Sequence, residues 1–138
     1  MMKSPFFTLF FLLFAITLSA QDSELQAVEA VLNDYMIGGM ERDGQRIAGA
    51  FHDQAMMKYL RDGEYREVNA QEFFGGAKPG APLERKNEIV NIDITGYVAV
   101  AKLRLTYADK AFTDYMTLMK IDGEWKIVNK VPYLEVFD

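Results

Sequence analysis

The chain has 138 residues, 15 basic against 20 acidic side chains, and a formal net charge of −5. That balance argues against nucleic acid or an anionic membrane as partner, since both need clustered Lys and Arg. With no Cys and one His, the chain has no disulfide staples, and His52 has no second His, Cys or carboxylate cluster with which to hold a metal.

Lys3, the uncharged run Phe6 to Leu18 and the small pair Ser19-Ala20 read as a secretory signal peptide. A membrane anchor needs about 20 apolar residues to cross the hydrocarbon, and this run is shorter. Cleavage is expected after Ala20, with Ser19 as an alternative site. Residues 1–20 are thus read as a leader and 21–138 as a single exported domain, periplasmic or secreted. No membrane contact is expected after cleavage. A domain of this length can rest on its core alone.

Ser23 and Gln26 form a capping-box signature, and Leu25, Val28, Val31, Leu32, Tyr35 and Gly39 follow at helical spacing to Met40. Gly38-Gly39 should weaken the last turn. Asp43 is the N-cap of a second helix expected over Gly44 to Phe51. Met56 to Arg61 and Glu64 to Val68 predict a hairpin about Asp62-Gly63. Asn69 and Glu72 start a third helical segment ending near Phe74, and Gly75 to Pro82 is a loop.

Four strands rich in β-branched and aromatic residues complete the chain, joined by expected turns at Thr95-Gly96, Asp109-Lys110 and Asp122-Gly123. The register pairs Ile92 with Ala99, Val90 with Ala101, Leu103 with Met116, and Tyr107 with Phe112. It also pairs Leu118 with Ile127 and Met116 with Asn129. The inner face is then apolar except for Asp114 and Asn129. Helices segregated to one side of a mostly antiparallel sheet make an α+β fold. The first helix should cover the inner face, with Trp125 packed beneath it.

Phe51-His52-Asp53-Gln54-Ala55 resembles the F-H-P-D-A element of nuclear-transport-factor-2-like proteins. The run from Phe112 to Val131 closely resembles the C-terminal signature of the branch named "putative lumazine-binding". The likeness covers about Ser23 to Tyr133. It implies a cone-shaped curved antiparallel sheet, of the cystatin-like kind, with N-terminal helices packed on its inner face. It also implies frequent dimerisation and a pocket in the open end, without fixing a ligand or an activity.

Asp114 is expected inward, opposite Leu105 and beside Met116. In the ketosteroid-isomerase-like branch, which the fold resembles, an acid on the equivalent strand donates a hydrogen bond to an oxyanion; otherwise Asp114 bonds backbone or Tyr hydroxyl groups. Asn129 can recognise a planar polar ligand or satisfy Asp114. Tyr35 should project from the first helix toward a ligand or Asp114. Tyr59, Phe73, Phe74 and Tyr107 are read as pocket wall or core. Where isomerase-like enzymes carry a carboxylate base, this chain has Tyr59, a poor base near neutral pH. His52 is a general base or a cap at a helix end.

Lys102, Arg104, Lys126 and Lys130 fall on the outer face with Val98, Val100, Tyr115, Met119 and Val128, a mixture suited to a homodimer contact. The acid–base set is incomplete, which favours a non-catalytic module binding a small planar or apolar ligand through Tyr35, Tyr59, Phe73, Phe74, Tyr107, Asp114 and Asn129, without cofactor or metal. The alternatives are an isomerase, cyclase or hydratase using Asp114 as acid, or an interaction module whose cone is filled by its own side chains.

Overall fold

The computed structural model describes the backbone of residues 6–138 and the side chains of residues 19–138. The basic start of the expected leader and the side chains of its apolar run lie outside the described residues. Among the described residues, no helix is long and apolar enough to cross a membrane.

Helix α1 spans Phe6–Glu41, so Ser23 lies inside a continuous helix and not at its start. An N-cap acts only where a helix begins. Nor does Gly38-Gly39 end it. A Cβ on Gly38 would stand 3.0 Å from Ile47 Cγ1, so the glycine lets α2, Gly44–Ala50, close against α1. The helix ends one turn later at Arg42, whose φ of 60° is left-handed. There the Asp43 N–H donates to Gly38 O at 2.8 Å and the Arg42 N–H to Gly39 O at 3.3 Å, a Schellman-type stop. Asp43 then caps α2 as expected, accepting from the Arg46 N–H at 3.1 Å.

The first hairpin is β1, Phe51–Arg61, and β2, Glu64–Asn69, turning at Asp62 (φ 53°) and Gly63 (φ 76°), both left-handed as a type I′ turn requires. Asn69 caps the short helix α3, Ala70–Gly75, accepting from the Glu72 N–H at 2.9 Å. The meander follows: β3, Lys86–Thr95; β4, Val98–Thr106; β5, Lys110–Ile121; and β6, Glu124–Val136. All strands join one six-stranded sheet ordered β2-β1-β6-β5-β4-β3. It is antiparallel except where β1 runs parallel to β6.

Three expected registers shift. The β3–β4 turn sits at Gly96-Tyr97 and pairs Ile92 with Ala101 and Ile94 with Ala99, because Gly96 takes the positive φ (59°) at the first turn position. Val90 is a bulge residue left unpaired between Ile89 and Asn91 and faces solvent instead of opposing Ala101. The β4–β5 connection is wider than a two-residue turn. Thr106 pairs with Ala111, and the Tyr107 N–H donates to Lys110 O at 2.8 Å. Leu103 therefore opposes Asp114, and Leu105 opposes Phe112.

The third shift changes the chemistry of the inner face. Leu118 pairs with Ile127 as expected, but Thr117 pairs with Asn129 and Met116 with Lys130, leaving Val128 as an extra residue. Side chains alternate along a strand, so one bulged residue exchanges the two faces beyond it. Asn129 joins Thr117 and exposed Val100 on the outer face, and Lys130 turns inward.

The core forms where α1 crosses the concave side. Val28, Leu32, Tyr35 and Met36, at helical spacing, are buried against a sheet face that includes Leu103, Met116, Leu118 and Ile127. Trp125 packs under the helix, and its Nε1–H donates to Glu24 Oε2 at 2.6 Å. Glu24 also accepts from Lys120 Nζ, so one carboxylate pins α1 to both β5 and β6.

Candidate functional site

Three polar side chains meet inside this apolar interior. Asp114 is 0% exposed, placed on the inner face by β5. Its Oδ2 accepts from the Tyr35 hydroxyl at 2.7 Å, and its Oδ1 from Lys130 Nζ at 3.0 Å. Lys130 is 3% exposed; its ammonium also lies 3.8 Å from Met57 Sδ, 5.9 Å from the Tyr35 ring centre and 5.5 Å from that of Phe74. Among the described residues, no buried side-chain N or O atom lacks a hydrogen-bond partner.

Around the trio stands an aromatic wall. Phe51 and Phe74 stack at 5.5 Å, and Tyr35 meets each edge-on at 5.7 Å. In this low-dielectric setting burial pushes the Tyr35 hydroxyl well above its ordinary range, and the Asp114 charge pushes the same way. Burial pulls Lys130 below the ordinary lysine range, while Asp114 pulls it back. A lysine held between those opposing effects is a poised proton donor and a potential amine nucleophile.

A second polar knot sits at the rim, centred on Arg85. Its guanidinium donates to Met36 O at 2.7 Å, to the Tyr107 hydroxyl at 2.8 Å and to Asn87 Oδ1 at 2.8 Å, and lies 5.7 Å from the Tyr107 ring centre. The close approach needs Gly39, where a Cβ would stand 2.8 Å from Arg85 Nη2.

The structure brings together Tyr35, Asp114 and Phe74 from the residues expected in the site. Tyr59 lies partly buried against the same core. Tyr107 reaches the rim, its ring 6.2 Å from that of Phe112. Phe73 points away, 55% exposed, because consecutive residues on a short helix cannot both face the core. Asn129 is outside, displaced by the Val128 bulge, and Lys130 stands in the interior where the outer face was expected. The hollow expected beneath Asp114 holds Tyr35 and Lys130 instead. Three surface grooves of about 560, 380 and 470 Å³ lie elsewhere, and none is lined by these residues. His52 lies partly exposed, its Nδ1 accepting from the Gln54 N–H at 3.1 Å, beside Asp53 Oδ1 at 3.0 Å. Lys130 and Arg85 were missed. A pair of adjacent apolar residues, Ile127-Val128, is the sole hint that alternation breaks in β6; nothing in the sequence marks Arg85.

A family model described as "putative lumazine-binding" matches residues 23–133. The chain belongs to that family. Its solved neighbours share the nuclear-transport-factor-2-like fold. One, of unknown function from Shewanella baltica, is 29% identical with a TM-score of 0.75, covering 82% of this chain and 94% of that one. Another, also of unknown function, from Methylobacillus flagellatus, is 28% identical with a TM-score of 0.71, covering 83% and 94%. Among characterised proteins, the chain is similar to an aldolase, FrzH, from a Cladobotryum species, 23% identical over 112 residues, 79% of this chain and 90% of that one. Within this putative lumazine-binding domain the Asp114–Lys130–Tyr35 trio is the polar feature that the fold encloses most completely.

Proposed function

We propose that the protein is an exported, non-catalytic module that binds a small, partly apolar molecule by displacing the Phe74 wall of its closed interior, so that the molecule reaches Asp114, Lys130 and Tyr35, with Tyr59 and Tyr107 at its border. One observation carries this reading: an ion pair kept in the dry interior of the sheet. Such a pair is a weak source of stability, because desolvating both ions cancels most of their attraction and apolar residues of the same volume do as well. The family description points to a ligand of the planar heterocycle class. Entry is by way of α3, where Phe74 forms the wall, Phe73 is already half outside, and Gly75-Gly76 follow at once. The leader, 1–20, directs the domain to the periplasm or the exterior and is removed.

On the outer face, Val98, Val100, Tyr115, Val131 and Tyr133 are exposed on neighbouring strands, with the Arg104–Glu135 pair among them. A second copy is the occupant we assign to it, since an apolar centre with a mixed-charge border is self-complementary.

The test is native mass spectrometry of protein purified from its own compartment, followed by thermal shift with lumazine. A co-purified small molecule, or a shift in the wild type that Asp114→Asn abolishes, supports the reading. An empty domain that no heterocycle stabilises overturns it. A second reading, an enzyme of carbonyl chemistry, is favoured by the likeness to the aldolase together with the buried Lys130. It requires turnover that disappears in Lys130→Met.

A further inference from the structure

We propose that Lys130 is a covalent site: its Nζ forms a reversible iminium with an aldehyde or ketone that enters the cone. The inference rests on the reading of the interior as a ligand site and names the ligand's chemical class. Four observations converge. Lys130 is the one lysine among the described residues that is buried; the remaining described lysines are exposed or partly so. Its Nζ lies 3.0 Å from Asp114 Oδ1, within direct proton-transfer distance. The second oxygen of Asp114 is held by the Tyr35 hydroxyl at 2.7 Å, which fixes the carboxylate in one orientation. The surroundings are Met57, Phe74 and the Tyr35 ring, a dry wall that suits a carbon skeleton and disfavours hydrolysis of a C=N bond.

The step balances within the trio. Asp114 takes a proton from the ammonium, and the free amine attacks the carbonyl carbon, forming the C–N bond as the C=O π pair moves onto oxygen. Asp114 returns that proton to the oxygen, giving a carbinolamine, and then takes a second proton from nitrogen. It delivers this to the hydroxyl, which leaves as water while the nitrogen lone pair closes the C=N⁺ bond. Two ammonium protons depart in the water and one stays on the iminium, so charge is conserved and no oxidant or reductant is needed. Burial supports the free-amine state, and each unit of depression raises the unprotonated fraction about tenfold.

The experiment uses acetylacetone, which converts an unprotonated lysine amine into a stable enaminone, on the full domain near neutral pH, with sites mapped by peptide mass spectrometry. The expected result is faster modification at Lys130 than at any surface lysine. It should be quickened in Phe74→Ala, which widens the entry. Trp125 fluorescence confirms that each variant is folded. Lys130→Arg must lose the fast modification and retain only the surface background. Labelling spread over the surface lysines, with Lys130 unmodified in both the wild type and Phe74→Ala, overturns the proposal. A heterocycle seen in native spectra but lost on denaturation and never joined to Lys130 overturns the covalent site alone and leaves the binding reading standing. An empty cone together with an inert Lys130 overturns both.

Discussion

Gly39 has no side chain because Arg85 occupies its place: a Cβ there would lie 2.8 Å from the Nη2 that donates to Met36 O. In an ordinary helix interior, Gly→Ala gains about 1 kcal/mol. Here the guanidinium would have to give up hydrogen bonds worth about 1.5–3 kcal/mol where a charge is involved. Gly39→Ala should therefore lower stability by about 1 kcal/mol. Gly49, with nothing within 4 Å of its hypothetical Cβ, should show the opposite sign, gaining about 0.5–1 kcal/mol as Ala. Urea denaturation of the two variants side by side checks the contrast.

Breaking the interior ion pair from one side leaves the other charge without a partner. Asp114→Leu or Lys130→Met alone should cost about 3–5 kcal/mol, whereas the double variant should recover most of that loss. A double-mutant cycle in urea measures the coupling; additive losses would count against the pairing.

Alkaline pH acts through Tyr35. Its hydroxyl is raised above the ordinary value, so the native state keeps its proton where the unfolded chain begins to release it. The contribution is complete below about pH 10 and is lost as pH rises from there through the folded value. Tyr35→Phe should flatten the alkaline fall in stability, read as the midpoint of thermal unfolding between about pH 9 and 11.

Acid acts through Glu24. The bonds from Lys120 and Trp125 hold its carboxyl below the usual carboxylate range, so its contribution is present above that range and lost as pH falls through the folded value. Trp125 emission should shift below about pH 4, and Glu24→Gln should remove that transition. Trp125→Ala, which deletes the anchor itself, should cost about 3–5 kcal/mol.

The outer face provides the fifth check. In the proposed dimer, Val100, 49% exposed on the single chain, would become a buried charge at a two-fold contact when replaced by Glu. Light scattering should then report a monomer from Val100→Glu and a dimer from the wild type.

The caps at Asp43 and Asn69 and the turns at Asp62-Gly63 and Asp122-Gly123 were legible because each rests on local chemistry, whereas the Ser23 start and the turns at Thr95-Gly96 and Asp109-Lys110 were misplaced. The inward aim of Asp114 was legible because β5 alternates cleanly from Phe112 to Leu118, and that of Tyr35 because it continues the helical spacing of Val28 and Leu32. What escaped was non-local. Which residue of β6 faces Met116 depends on whether the strand carries a bulge, and two adjacent apolar residues, Ile127-Val128, satisfy either register. Arg85 follows a Gly/Pro loop, and its reach to Met36 and Tyr107 is fixed only once α1, β3 and the β4–β5 loop are docked. The extension of α1 through Gly39 belongs to the same class, because Arg85, the neighbour that requires that glycine, is distant in sequence.

Val128 has a wider bearing than the choice between Asn129 and Lys130. Both flanking strands fall out of step beside it, β5 between Thr117 and Leu118 and β1 between Phe51 and Met56. Bulges bend the strands that carry them, so the sheet bends along a single crease at this point. The depth of the enclosed space is therefore governed by backbone geometry at one place, apart from the residues that supply its chemistry. On the proposed binding reading, a chain of this fold without the bulge would hold a shallower bowl, and the size of guest admitted would change more than its kind.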